Sequence, residues 1–376
     1  MGGHPVRIAV LTSSRADYGN YLPLLKKMKV DSFFKLKIIA FGTHVSPKYG
    51  NTVDVIHADG FDVAYKLETV PEYDNAKGIS ESMGKTITRF SSLWEMEQEN
   101  LDLVLCLGDR YEMFSAVSAA IPFNIPVAHL YGGDTTLGAI DNVFRHSLSL
   151  MSTLHFTSLE SSAKRISQII GTSENIYPVG VLGLDNLNEI ALLTKAQFQQ
   201  KFNIDLNSPV LVTFHPETIA YEKNQQYVNE LIEVLHILDK QIIITMPNAD
   251  TMGSVIRKTL LNFAKGKKNV HPVESLGTIG YFSCLNYCSF VLGNSSSGIV
   301  EAASFGKYVI DIGNRQQGRE TSKNVIHCEI EKNKIIEAIK LIETLPILED
   351  KNIYGDGKTA DRIIKILKNK KCIIKL

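Results

Sequence analysis

The chain has 376 residues, with 40 Lys and Arg against 40 Asp and Glu, 44% hydrophobic and 21% charged. Zero net charge excludes a long-range field that would hold nucleic acid or an anionic membrane, and ordinary hydrophobicity excludes a disordered chain, so any anion site must be local. A single core rarely grows past about 250 to 300 residues, which makes two domains the expectation.

From the N-terminus, an apolar run at Arg7–Thr12 reads as a strand, followed by Tyr21, Leu24, Leu25 and Met28 at helical spacing and a second strand over Leu36–Gly42. Ile79, Met83, Ile87, Phe90 and Leu93 share one helical face ahead of a strand at Leu103–Gly108. Val127–Tyr131, Leu154–Thr157 and Ile176–Val179 are further short strands. A polar stretch over Thr194–Ser208 follows, and the rhythm restarts at Val210–Phe214, Ile242–Met246, Val270–Val273, Phe290–Gly293 and Tyr308–Ile312. Tyr227, Leu231, Leu235 and Leu238 mark a helix face in this second half, and Ala360, Ile363, Ile364 and Leu367 mark a last helix. Strands alternating with helices imply parallel βαβ units, hence two doubly wound halves with a boundary between Gly180 and Asn207 and ligand sites at the carboxyl ends of the strands. Cys106, Cys284, Cys288, Cys328 and Cys372 form no CxxC pair, which argues for free thiols in a reducing cytoplasm. The first residues lack the pattern of a secretory signal, and no apolar run approaches the roughly 18 residues that cross a bilayer.

Neither a GxxxxGK[ST] loop nor a GxGxxG after the first strand is present. In their place Gly293-Asn294-Ser295-Ser296-Ser297-Gly298 follows an apolar strand, where small residues let amides and hydroxyls converge on a phosphate or merely cap a helix. Phe214-His215-Pro216-Glu217, Met246-Pro247-Asn248-Ala249-Asp250 and Gly313-Asn314-Arg315-Gln316-Gln317-Gly318-Arg319 also follow strands. These strand-end loops suit an anion held without a net basic surface, and Glu301 suits ribose hydroxyls. In the first half, Arg15 sits in Thr12-Ser13-Ser14-Arg15-Ala16-Asp17, where Ser13, Ser14 or Asp17 suits a helix cap.

Leu107-Gly108-Asp109-Arg110-Tyr111-Glu112 and His129-Leu130-Tyr131-Gly132-Gly133-Asp134 end successive strands, and Asp141-Asn142-Val143-Phe144-Arg145-His146 opens a helical segment. Asp109, Asp134 and Asp141 therefore gather at one strand edge beside arginines and histidines, a composition suited to proton transfer. A metal held by His129 and Asp134, or a plain Asp141–Arg145 ion pair, are the competing readings.

Taken together and in order, SSRADYG, LGDRYE, HLYGGD…GAIDN…RHS, FHPET, PNAD, GNSSSGIVEAASFG and GNRQQGRET resemble the hydrolysing UDP-N-acetylglucosamine 2-epimerases of bacterial sialic-acid pathways, over about Arg7 to Asn324. The resemblance implies an α/β GT-B fold: two Rossmann-like domains with the active site in the cleft between them, divided here as 6–185, 186–357 and a final helix, 358–376, crossing back to the first domain. It implies elimination of UDP to 2-acetamidoglucal, then hydration to N-acetylmannosamine, with no cofactor or metal. It further implies catalytic roles for Asp109, Asp134, Asp141 and His146, and UDP contacts from Arg15, Arg110, His215, Asn248, Ser275, Ser295, Ser296, Glu301 and Arg315. Asp134 stands where relatives often carry Glu. The non-hydrolysing relatives begin with a GTRPE-like motif, from which SSRADYG departs. Three rival readings remain: a legionaminic-acid-type 2-epimerase acting on UDP-2,4-diacetamido-2,4,6-trideoxyglucose, a GT-B glycosyltransferase, and a non-catalytic nucleotide-sugar sensor. A UDP-sugar is the expected partner, with neither nucleic acid nor membrane, in a cytoplasmic homodimer or homotetramer.

Overall fold

The computed structural model describes residues 4–47, 50–73, 75–137, 140–217, 221–247, 253–348 and 352–369. The chain divides into two compact units, one of Met1–Asp134, Asp141–Asn188 and Tyr354–Leu376, the other of Thr135–Ile140 and Glu189–Ile353.

The first unit runs β1 (Val6–Thr12), α1 (Arg15–Val30), β2 (Phe34–Phe41), α2 (Val53–Ala58), β3 (Val63–Leu67), α3 (Ala76–Glu97), β4 (Leu103–Leu107), α4 (Tyr111–Ser118), β5 (Val127–Leu130), α5 (Asp141–Leu150), β6 (Leu154–Thr157), α6 (Glu160–Ile170) and β7 (Ile176–Pro178). Its strands lie in the order β3-β2-β1-β4-β5-β6-β7, all parallel. Central strands read as unbroken apolar runs because helices cover both faces. Tyr21, Leu24, Leu25 and Met28 of α1 pack on one face; Phe90 and Trp94 of α3 and Met113 of α4 pack on the other. Pro23 inside α1 has no N–H to give the Gly19 carbonyl, and the Asn186 side-chain amide donates to that carbonyl at 3.3 Å instead.

The chain then continues through α7 (Asn186–Glu189) into the second unit: α8 (Lys195–Phe202), β8 (Val210–Thr213), α9 (Asn224–Ile237), β9 (Ile242–Thr245), α10 (Gly253–Ala264), β10 (Val270–Val273), α11 (Gly277–Tyr287), β11 (Phe290–Gly293), α12 (Ser296–Val300), β12 (Val309–Ile312), β13 (Val325–Cys328) and α13 (Lys332–Thr344). The strand order β10-β9-β8-β11-β12-β13, again parallel, is the 3-2-1-4-5-6 order of a dinucleotide-binding sheet. The polar stretch after Thr194 is thus partly helical, with Thr194 capping α8.

Helix α14 (Thr359–Asn369) belongs to the first unit, where Ala360, Ile363 and Leu367 enter the same apolar cluster as α1. At about 2 kcal/mol for each fully buried Ile or Leu, that stripe alone supplies about 4 kcal/mol. Two strands that no apolar run announces are β3 and β13. Both are sheet edges, with the alternate or partial exposure such a position allows.

Candidate active site

In the first unit the chemistry collects after β4 and β5. Gly108, with φ +91°, turns the chain out of β4 so that Asp109 and Arg110 follow immediately. Arg145 of α5 is 3% exposed; its Nη2 donates to the Asp109 carboxylate and its Nη1 to the Asp134 carbonyl at 2.9 Å. One guanidinium therefore ties two strand-end loops together. Arg110 makes a two-point contact with Glu112, at 3.2 Å through each nitrogen.

The Gly132-Gly133 pair is a steric requirement. A Cβ on Gly132 would lie 2.8 Å from both His129 Nδ1 and Ser149 Oγ, and one on Gly133, where φ is +77°, would lie 2.2 Å from the Ser162 carbonyl oxygen. That close approach lets Asp134 accept from the hydroxyls of Ser158 and, at 2.7 Å, Ser162. His129 is fully buried, its ring nitrogens 2.8 Å from the Gly108 carbonyl and 3.3 Å from Ser149 Oγ, and burial pushes its pKa down to about 4. Both nitrogens are engaged by the fold, so the metal reading of His129 with Asp134 loses its ligand, and no cluster of three His, Cys, Asp or Glu is arranged for a metal among the described residues.

Asp141 opens α5, and His146 follows Arg145 on the same helix. Burial, then the positive charges of Arg145 and Arg165, lower the His146 pKa, and its Nδ1 is buried without a hydrogen-bond partner. Neutral imidazole is thus the favoured form beside the two arginines. Arg15 is exposed at the start of α1. Ser14 is the N-cap of α1 and Asp17 closes a capping box with it, its carboxylate accepting from the backbone N–H of Ser13 at 2.6 Å and of Ser14 at 2.7 Å.

In the second unit the loops after β8, β11 and β12 carry the other candidates. The Asn294 carboxamide, fully buried, accepts from His215 N–H at 2.7 Å and donates to the His215 carbonyl at 2.9 Å. Gly293 makes room for this turn: at φ +145° a Cβ would stand 1.9 Å from the Thr213 carbonyl oxygen. Ser295 caps α12, accepting from Ser297 N–H at 3.4 Å, and Ser296 is the first residue of that helix. Tyr281 O–H and Ser297 Oγ lie 2.5 Å apart. Glu301, just beyond α12, is raised to about 8 by desolvation alone. Arg315 Nη1 donates to the Asn294 carbonyl at 3.5 Å, and Gln316 Nε2 to the same oxygen at 2.9 Å. Ser275 lies in the turn before α11, exposed, its hydroxyl accepting from Gly277 N–H at 3.2 Å. Asn248 lies outside the described residues.

The structure thus joins Asp109 with Asp134 in one unit, and His215 with Arg315 and the serine loop in the other. Ser158, Ser162, Glu217 and Gln316, which hold these groups, are not singled out by sequence reasoning, and Arg145, read from the sequence only as a partner for Asp141, also binds Asp109. Glu217 sits inside the FHPET motif and could have been flagged as an acid in a strand-end loop; Ser158 and Ser162 carry no sequence signal at all.

Two parallel Rossmann-like sheets, each with polar loops at its strand ends, define an α/β protein of the GT-B class. A family model described as UDP-N-acetylglucosamine 2-epimerase matches residues 26–368. The chain is 34% identical over 363 residues to the UDP-N,N'-diacetylbacillosamine 2-epimerase (hydrolyzing) of Legionella pneumophila, covering 96% of this chain and 95% of that one. It is 32% identical over 337 residues to polysialic acid biosynthesis protein P7 of Escherichia coli, covering 89% and 85%. In fold it matches the Neisseria meningitidis UDP-GlcNAc 2-epimerase bound to UDP-GlcNAc with a TM-score of 0.81 at 19% identity, over 97% of this chain and 100% of that one. The chain belongs to the UDP-N-acetylglucosamine 2-epimerase family and is one of its hydrolysing 2-epimerases. Among the described residues no helix is long and apolar enough to cross a membrane.

Proposed function

We propose that the protein converts UDP-N-acetylglucosamine and water to N-acetylmannosamine and UDP. A carboxylate takes the C2 proton while the C1–O bond to UDP breaks, leaving 2-acetamidoglucal. Water then adds its oxygen to C1, and a carboxyl group returns a proton to C2 on the opposite face. The observation that carries this reading is the cluster of Asp109 and Asp134 around the buried Arg145, with Asp141 and His146 on the same helix as that arginine. In this reading Arg15, Arg110, His215, Asn248, Ser275, Ser295, Ser296, Glu301 and Arg315 hold UDP. In this reading the two clusters work on one substrate, and cationic groups and loop amides stabilise the leaving diphosphate. The protein would act in the cytoplasm as a homodimer or homotetramer.

A second reading, favoured by the activity for which the Legionella relative is named, keeps the chemistry and changes the sugar to UDP-N,N'-diacetylbacillosamine, the 2,4-diacetamido-2,4,6-trideoxy compound. One experiment tests both: each nucleotide sugar is supplied in D2O and the products are followed by NMR. N-acetylmannosamine with deuterium at C2 is the expected result. Turnover of the diacetamido sugar alone would select the second reading, and product without solvent hydrogen at C2 would reject 2-epimerisation by this route.

A further inference from the structure

Glu217, in the loop after β8, is 3% exposed and has no part in the nucleotide reading so far. Its Oε1 accepts from the backbone N–H groups of Asn314 at 2.9 Å and Arg315 at 3.0 Å, in the loop after β12. Its own peptide is held by Asn224, the first residue of α9, which accepts from Glu217 N–H at 2.8 Å and donates to the Glu217 carbonyl at 3.0 Å. Gly313 permits the approach: its φ is +84°, and a Cβ would lie 2.6 Å from Glu217 Oε1 and 2.5 Å from Ile330 Cδ1.

These contacts close a ring. The Asn294 side chain brackets the His215 peptide, the Glu217 carboxyl brackets the amides of Asn314 and Arg315, and Gln316 Nε2 returns to the Asn294 carbonyl at 2.9 Å. The loops after β8, β11 and β12 are therefore one hydrogen-bonded cycle. Consecutive amides converging on a carboxylate form an anion nest filled from within the chain. Emptying it takes the acceptor from both amides and releases the loop that bears Arg315.

We propose that Glu217 is a positioning residue of the nucleotide site, which through the amides of Asn314 and Arg315 sets where the Arg315 guanidinium meets a diphosphate. The inference rests on the reading of Arg315 as a UDP ligand. The task requires an acceptor at Oε1 rather than a negative charge, so Gln at this position performs it and Ala does not.

Calorimetric titration of UDP into the wild type, Glu217→Gln, Glu217→Ala, Arg315→Ala and the Glu217→Ala/Arg315→Ala double variant tests it, with Tm, KM and kcat measured for each. We expect Glu217→Gln to stay within about threefold of the wild-type Kd and Glu217→Ala to weaken UDP by about tenfold. KM should rise more than kcat falls, and the double variant should bind little worse than Arg315→Ala alone. Should Glu217→Ala not fold, Asn224→Ala, which loosens the peptide behind the same carboxylate, takes its place in the same cycle. Unchanged UDP affinity in the folded Ala variant, equal losses for Gln and Ala, or losses that add in the double variant would overturn the proposal. Failure of the nucleotide reading is separate and visible: the wild type would then bind no UDP, or Arg315→Ala would bind it as tightly, and Glu217 would lose its role with it.

Discussion

Arg145 is 3% exposed and holds Asp109 and the Asp134 carbonyl at once, so its charge is compensated inside the fold and its geometry is set by α5. Removing one partner of such a pair leaves the other poorly solvated, though Asp109 keeps some water, with its side chain 27% exposed. Arg145→Met is therefore expected to cost about 2 kcal/mol of stability and to abolish turnover, because the loops bearing Asp109 and Asp134 lose their shared anchor. Urea unfolding with turnover measured alongside checks this, and wild-type turnover in the folded variant would show that the anchor is dispensable. Asp134 is legible in the sequence as the end of a strand-end Gly-Gly-Asp, whereas Ser158 and Ser162 are not. Nothing about a serine just past β6 or in the first turn of α6 tells where its hydroxyl points until Gly133 has brought α6 within reach.

Among the elements, α14 shows how a segment distant in sequence is secured. Its first amides have no partner within the helix, and Asp185 supplies both, accepting from Thr359 N–H at 2.9 Å and Ala360 N–H at 2.6 Å while itself 2% exposed. Around it Lys27 pairs with Asp361 and Lys368 with Asp31, exposed contacts worth a few tenths of a kcal/mol each. Asp185→Ala should cost about 2 kcal/mol and free the helix before the rest unfolds, read as faster amide exchange over 359–369 than in the wild type. Uniform exchange rates would place the anchor in the apolar stripe alone. The pattern of Ala360, Ile363, Ile364 and Leu367 announces this helix, but not its destination, since an amphipathic stripe of this kind fits any apolar surface.

At the scale of the molecule, stability rests on sheets whose interiors also enclose histidines. Burial pushes His129 to about 4 and His155 to about 3. Folded-state values below the ordinary 6.5 mean that the unfolded chain binds the protons, so this stability is complete above pH 6.5 and is lost as pH falls toward 4. Each histidine is expected to withdraw about 2 kcal/mol by pH 5. Urea midpoints at pH 7 and pH 5 should fall less for His155→Leu than for the wild type, and parallel slopes would remove His155 from this account.

What the sequence determined by itself is whatever local pattern controls: two runs of alternating strands and helices, the strand ends at which polar loops occur, and the order of motifs that marks the family. Edge strands β3 and β13 escaped because one-sided burial leaves no continuous apolar run. Only the tertiary structure decided which loops meet. His129 is a buried strut, and Arg145 pairs with Asp109 across 36 residues. Glu217 closes on a loop 97 residues away. Those outcomes depend on close approaches between backbones and on the removal of water, which belong to no single segment of the chain and arise only when the sheets have formed.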